Sequence, residues 1–168
     1  TSDYITDLPR LRFVFKMLIQ GLFNHADQIV CVSQATKNDL INHFHLLENK
    51  CKIIYNPFDL EKIKELSIRQ IPKKMLEKIG GRGFITTVAR LEIQKNHLFL
   101  IDALKDFLKA KNIVLVLVGG GSQETIINSR IIELELEKYV FLTGYESNPY
   151  PYISNASLLV HPARFEGF

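Results

Sequence analysis

The chain has 168 residues, 46% of them apolar and 23% charged, which supplies a buried core and excludes a disordered tail or a fibrous repeat. Its 21 basic and 18 acidic residues leave a net charge of +3, too small and too scattered for nucleic-acid binding, while an anionic small ligand stays within reach. Two cysteines, Cys31 and Cys51, give neither a disulfide framework nor a paired C-x-x-C zinc spacing, so a reducing, cytoplasmic setting is expected.

Residues 10–23 read as an amphipathic helix, with Arg10, Arg12 and Lys16 beside Phe13, Phe15, Leu18 and Phe23. Such a helix either packs on a sheet or lies on an anionic membrane surface, a peripheral contact. Its apolar stretch, interrupted by Lys16, Gln20 and Gly21, falls far short of the roughly 20 residues a spanning helix needs, and no small-residue cleavage pattern makes it a signal peptide. Residues 28–33 then read as a strand, with Cys31 a small core residue and Ser33 placed to cap a helix running to Phe44. A short strand over 52–55 stops at Asn56-Pro57, because proline cannot donate to a ladder and restricts the residue before it.

A domain boundary is placed near Asn56. Residues 1–55 close a first unit, and 56–83, charged and holding Pro72 and Gly80-Gly81-Arg82-Gly83, read as a connection to a second unit over 84–168. That second stretch has four predicted strands, at 84–89, 113–118, 140–143 and 157–161. The helix between the first two buries Leu98, Ile101, Leu104 and Leu108; the next buries Ile126, Ile127, Ile131, Leu134 and Leu136. A last short helix starts at Pro149, with Asn148 as its cap. This alternation predicts an α/β fold with a doubly wound, Rossmann-like parallel sheet, whose ligand crevice lies beyond the strand C-termini. Thr1 in place of Met, and a stop directly after an apolar strand, point to a fragment.

The chemistry should therefore sit where the strands end. Arg90 follows the first strand and Lys95 lies near the following helix start, where free N–H groups and a partial positive charge already favour anions. A guanidinium fork and an ammonium fit a diphosphate clamp; on spacing alone, two solvated cations in a loop are the favoured reading. Gly119-Gly120-Gly121 after the second strand permit a tight turn or close approach of a ligand, but match neither G-x-G-x-x-G nor the P-loop, which disfavours NAD and ATP sites. Thr143-Gly144-Tyr145 ends the third strand, where backbone groups and a ring can hold a nucleobase or simply form a packed turn. The fourth opens into Glu166-Gly167-Phe168, where a carboxylate can grip sugar hydroxyls or sit on the surface. There is no Asp-x-Asp pair, His43 and His45 cannot face one metal, and no G-x-S-x-G elbow serves acyl transfer, so neither a metal nor an acyl-transfer site is expected.

Taken in order, these segments resemble retaining GT-B glycosyltransferases of the group-1 class. The family's G-R-L-x-x-x-K segment is similar to Ala89-Arg90-Leu91 with Lys95-Asn96, its V-G-x-G to Val118-Gly119-Gly120-Gly121, its F-x-G to Phe141-Leu142-Thr143-Gly144 and its P-S-x-x-E-G-F to residues 162–168. Residues 26–33 and 54–59 resemble the last strand of the acceptor domain and the start of the linker. Gly120 stands where an acidic residue is usual, Ala163 where Ser is, and Pro57 where Gly is.

The resemblance implies that 1–55 end an N-terminal acceptor domain and that 84–168 form an incomplete donor-binding domain. It implies a UDP-sugar or GDP-sugar donor, a glycan, lipid-linked or polysaccharide acceptor, retention of configuration and no metal or other cofactor. Arg90 and Lys95 would neutralise the leaving diphosphate and Glu166, the first carboxylate of an E-x7-E motif, would contact the donor sugar beside Gly167 and Phe168. Thr143, Gly144 and Tyr145 would flank the base. A second carboxylate, eight residues past Glu166, would fall beyond residue 168, and the piece alone is expected to be inactive. A non-catalytic nucleotide-sugar binding module and a GT-B epimerase are the alternatives.

Overall fold

The strand Val114-Leu115-Val116-Leu117-Val118 is β-branched or apolar at every position, and all five side chains are buried. A strand covered on both faces needs a layer on each side, and two clusters supply them. In the computed structural model, which describes residues 9–164, Leu115 and Leu117 join one cluster with Ile101, Leu108, Ile127 and Ile131. Val114, Val116 and Val118 join the other with Ile71, Met75, Ile79 and Tyr152.

The chain divides into two compact units, a first that ends at Phe58 and a second that begins at Asp59. The first holds α1 (Pro9–His25), β1 (Ile29–Cys31), α2 (Gln34–Phe44) and β2 (Cys51–Ile53). β1 and β2 pair in parallel, with Ile29 opposite Cys51 and Cys31 opposite Ile53. Ser33 caps α2 as expected, its hydroxyl accepting from the Thr36 N–H at 3.1 Å. Ile29, Cys31, Phe44, Leu46 and Cys51 form its core, with Ile19 of α1 and Leu40 of α2 packed against them. Burial, and then the neighbouring Cys51, push the Cys31 thiol up, as suits a packing residue rather than a nucleophile. Val14, Met17, Leu18 and Leu22 of α1 stay exposed. Among the described residues, no helix is long and apolar enough to cross a membrane.

The second unit runs α3 (Leu60–Ser67), α4 (Lys73–Ile79), β3 (Phe84–Val88), α5 (His97–Lys111), β4 (Val114–Val118), α6 (Glu124–Glu133), β5 (Val140–Gly144), α7 (Tyr150–Asn155) and β6 (Leu158–Leu159). Its sheet is wholly parallel in the order β5-β4-β3-β6, one half of a doubly wound Rossmann-like arrangement. The chain walks outward from β3 to β5 and then returns to the other side of β3. The switch point therefore lies between the C-terminal ends of β3 and β6.

Two readings of this unit change. The segment 56–83, read as a connection, is folded: Asp59 caps α3 by accepting from the Lys62 N–H, and Ile71, Met75 and Ile79 lie in the core. Met75 and Ile79, four apart, lie on one face of α4 and Ile71 joins them from the chain before Pro72, while the exposed Glu61–Lys64 and Lys62–Glu65 pairs make the composition look like a linker. Arg82 then fastens this region, donating at 2.8 Å to the carbonyls of Ile79, Lys78 and Lys138. In α6, Ile127 and Ile131 are buried but Ile126 is 50% exposed. The helix stops at Glu133, and Leu136 reaches the core through a turn in which Glu135 takes a positive φ of 54°, not from a helical stripe. The last helix begins one residue later than expected, at Tyr150 with Pro149 in the cap position, and Asn148 instead forms a turn before it, accepting from the Tyr150 N–H and donating to the Leu66 carbonyl of α3.

Candidate functional site

The loops after β3 and β4 are zipped together backbone to backbone. Ala89 N–H donates to Val118 O and Leu91 N–H to Gly120 O, both at 3.0 Å, and Gln123 N–H donates to Leu91 O at 2.9 Å. Two of the three glycines exist for this contact. A Cβ on Gly119, whose φ is +140°, would stand 2.1 Å from the Ala89 carbonyl oxygen, and one on Gly121 would stand 2.6 Å from that of Leu91. The close approach their missing side chains allow is that of the β3 tip. Gly120 is different: its nearest neighbour would be Tyr145 N at 3.6 Å, an ordinary contact beside open space.

That space is a hollow of about 220 Å3 at the C-terminal ends of β3, β4 and β5, lined by Arg90, Gly119, Gly120, Tyr145, Glu146 and Pro149 among others. It brings Arg90 together with part of the glycine loop and with the aromatic residue expected to hold a base. Arg90 is exposed and its guanidinium makes no hydrogen bond or ion pair among the described residues, while its carbonyl accepts from Glu92 N–H at 2.8 Å; Tyr145 is 84% exposed. Thr143 does not line the hollow; its hydroxyl donates to the Gly144 carbonyl at 2.7 Å, and that carbonyl also accepts from Gly119 N–H. Gly144, with φ of 74°, serves the turn. Glu166, Gly167 and Phe168 lie outside the described residues.

Lys95 is half-buried and does not line this hollow. It ends a 3-10 turn, Ile93–Lys95, followed by Asn96 in the left-handed region and then by α5. The turn is braced from two sides. Glu92 accepts from Ser122 Oγ at 2.8 Å and from Ser122 N–H at 3.2 Å, and these bonds, more than the nearby Arg90, hold its carboxyl below the usual range. On the other side Arg164 donates through Nε to Asn96 Oδ1 at 3.3 Å and through its N–H to Gln94 O at 2.9 Å. Lys95 thus sits at the switch point, on the loop from β3 and beside the chain leaving β6. Sequence reasoning passed over Glu92, Glu146 and Arg164. Glu92, an acid between two cations in one loop, was the detectable signal; Arg164 meets Asn96 across 68 residues, and nothing local marks it.

After the turn, His97 is 3% exposed and its Nδ1 has no hydrogen-bond partner among the described residues. Burial, assisted by His161 and Lys95, pushes it down to about 4. A histidine held neutral in the fold but free to protonate at its ordinary value of 6.5 when unfolded makes the unfolded state bind more protons between those values. Stability is therefore expected to fall as pH drops from about 6.5 to about 4, by up to about 3 kcal/mol at 1.4 kcal/mol per unit. Urea unfolding at stepped pH checks this, with His97→Gln flattening the slope; an equal slope in both proteins would assign it to other groups. A larger hollow of about 760 Å3, between Ser67, Ile68, Leu76 and Ser154, opens beside Gly83 and Phe84 at the start of β3 and holds none of the predicted residues. Among the described residues, no three His, Cys, Asp or Glu side chains converge as metal ligands would.

Residues 69–168 match the family described as Glycosyl transferases group 1, and residues 3–62 the one described as Glycosyltransferase Family 4. The chain is 37% identical over 158 residues, 92% of its length, to the Campylobacter jejuni N-acetylgalactosamine-N,N'-diacetylbacillosaminyl-diphospho-undecaprenol 4-alpha-N-acetylgalactosaminyltransferase. It is 26% identical over 86% of its length to the Staphylococcus aureus poly(ribitol-phosphate) alpha-N-acetylglucosaminyltransferase. It spans 40% of the first protein and 27% of the second. The crystal structure of Anabaena HepE in complex with UDP matches 95% of this chain and 44% of its own, with a TM-score of 0.74 at 20% identity, a likeness of fold.

Proposed function

The chain belongs to the group 1 glycosyltransferases, and we propose that the protein it comes from moves an N-acetylhexosamine from a nucleoside-diphosphate sugar to a lipid-linked or polysaccharide acceptor, with retention of configuration and without metal. The observation that carries this is Arg90: a guanidinium without a hydrogen bond or ion pair among the described residues, on a hollow at the strand C-termini, flanked by glycine backbone and followed by a braced turn bearing Lys95. When the bond from the sugar to the diphosphate breaks, negative charge gathers on the departing phosphate. A planar fork and an ammonium, fixed beforehand, stabilise that charge without reorganising. Two protein cations then do what a divalent ion does in other transferases, and the start of α5 adds a partial positive charge. Glu166 completes this reading as the group that touches the donor sugar.

The names of the two relatives support an amino-sugar donor, and the undecaprenol carrier in the first supports a lipid-linked acceptor. Membrane contact on the cytoplasmic face follows from the same reading; α1 has Lys16 beside exposed Val14, Met17, Leu18 and Leu22, and no acidic residue. The test is transfer by the full-length protein from UDP- and GDP-linked N-acetylhexosamines to an undecaprenyl-diphosphate saccharide, with the new linkage read by NMR. Turnover in EDTA and an unchanged anomeric configuration are expected. A product of inverted configuration, or activity abolished by EDTA and restored by a divalent cation, would overturn the finer reading.

A further inference from the structure

We infer that Glu146 selects the nucleoside of the donor by accepting a hydrogen bond from one of its N–H or O–H groups, with Tyr152 as the residue that aims it; this rests on reading the Arg90 hollow as a nucleoside-diphosphate site. Tyr152 of α7 is 1% exposed, and its hydroxyl donates to Glu146 Oε1 at 2.9 Å. A buried hydroxyl has one proton to give, and this one goes to the carboxylate, fixing that oxygen from the core side. Burial, and then Glu146 itself, push the Tyr152 phenol up, so it stays a donor at any physiological pH. Oε2 of Glu146 has no partner among the described residues, and the residue lines the hollow.

The charges in the hollow divide a ligand in two. Arg90 suits a phosphate. A carboxylate repels one and accepts only, so whatever meets Glu146 must present a hydrogen-bond donor. A nucleoside diphosphate has that polarity: anionic at one end, with ribose O–H and base N–H groups at the other. Tyr145 and Pro149 add an apolar wall suited to a flat ring. Among bases, guanine offers two adjacent N–H donors that a carboxylate takes as a pair, whereas uracil offers one N–H between two carbonyls that repel it. A uridine donor would therefore meet Glu146 through its ribose, a guanosine donor through its base.

Calorimetric titration of UDP, 2'-deoxy-UDP and GDP into the full-length protein separates these cases. Glu146→Ala is expected to weaken the preferred nucleotide about tenfold, the worth of a hydrogen bond to a charged group. Glu146→Gln, whose amide oxygen still accepts, should recover part of that loss, and Tyr152→Phe should lose about threefold by leaving the carboxylate unaimed. Loss of the preference for UDP over its 2'-deoxy form in Glu146→Ala places the contact on the ribose, and a changed UDP to GDP ratio places it on the base; either supports the inference. A Glu146→Ala protein that melts at a lower temperature but binds all three as the parent does would show a merely structural carboxylate and overturn it. A parent that binds none of the three overturns this inference together with the donor-site reading.

Discussion

Gly119→Ala is expected to cost at least about 3 kcal/mol of folding stability, the sum of a strained backbone and an overpacked contact, while Gly120→Ala next to it costs under about 1 kcal/mol. The first substitution drives a Cβ to 2.1 Å from the Ala89 carbonyl oxygen at a φ of +140° that L side chains rarely adopt. Ala89 cannot simply withdraw, because its N–H is bonded to Val118 O and the next link, Leu91 N–H to Gly120 O, closes the zip. Relief would come by opening the β3 and β4 loops, which carries Arg90 away from the hollow. At Gly120 the same methyl meets its nearest atom at 3.6 Å. Chemical denaturation of the two variants, with Gly121→Ala expected to behave like Gly119→Ala, checks the contrast. If Gly119→Ala unfolds at the same denaturant concentration as Gly120→Ala, the two loops are not rigidly joined.

That contrast also marks where reading the sequence stops. Three consecutive glycines after an apolar strand announce a tight strand-to-helix turn, but which of them faces a backbone and which faces open space depends on the β3 tip, some thirty residues earlier. β3 and β4 were legible because a strand buried on both faces must be apolar throughout, and the Rossmann-like order followed from strands alternating with helices. α4 was not, since its buried Met75 and Ile79 are diluted by exposed lysines and a glutamate, and composition averages over the very periodicity that matters. Ile126 misled for the opposite reason: adjacent isoleucines on a helix point about 100° apart, so only one of Ile126 and Ile127 can face the core. Of the site, the cations and glycines at strand ends were visible as residue types in a known place. The groups that hold them, Glu92 with Ser122, Arg164 with Asn96 and Tyr152 with Glu146, are long-range pairs or belong to no repeating pattern, and only the fold makes them neighbours.

Arg90→Ala and Lys95→Ala are each expected to lower kcat of the full-length enzyme by about 100- to 1,000-fold, the cost of removing one preorganised group facing transition-state charge. On the proposed mechanism the effect should fall on kcat more than on KM, because the charge the cations would meet is greater when the diphosphate is leaving than when the donor is bound intact. Arg90→Lys keeps the charge but loses the two-pronged fork, so it should fall between parent and alanine variant. Removing both cations should cost less than the product of the single losses if, as proposed, they act on one leaving group. Arg90 is exposed and outside either core, so its removal is expected to change stability by no more than about 0.5 kcal/mol, and a lost rate cannot then be blamed on unfolding. Lys95 is a sharper case. Its turn is also held by Glu92 on Ser122 and by Arg164 on Asn96, bonds that Lys95→Ala leaves intact. Steady-state rates with donor and acceptor varied separately distinguish the outcomes. A rise in KM with kcat untouched would make these residues anchors for the bound donor, and parental rates in both alanine variants would remove them from the site.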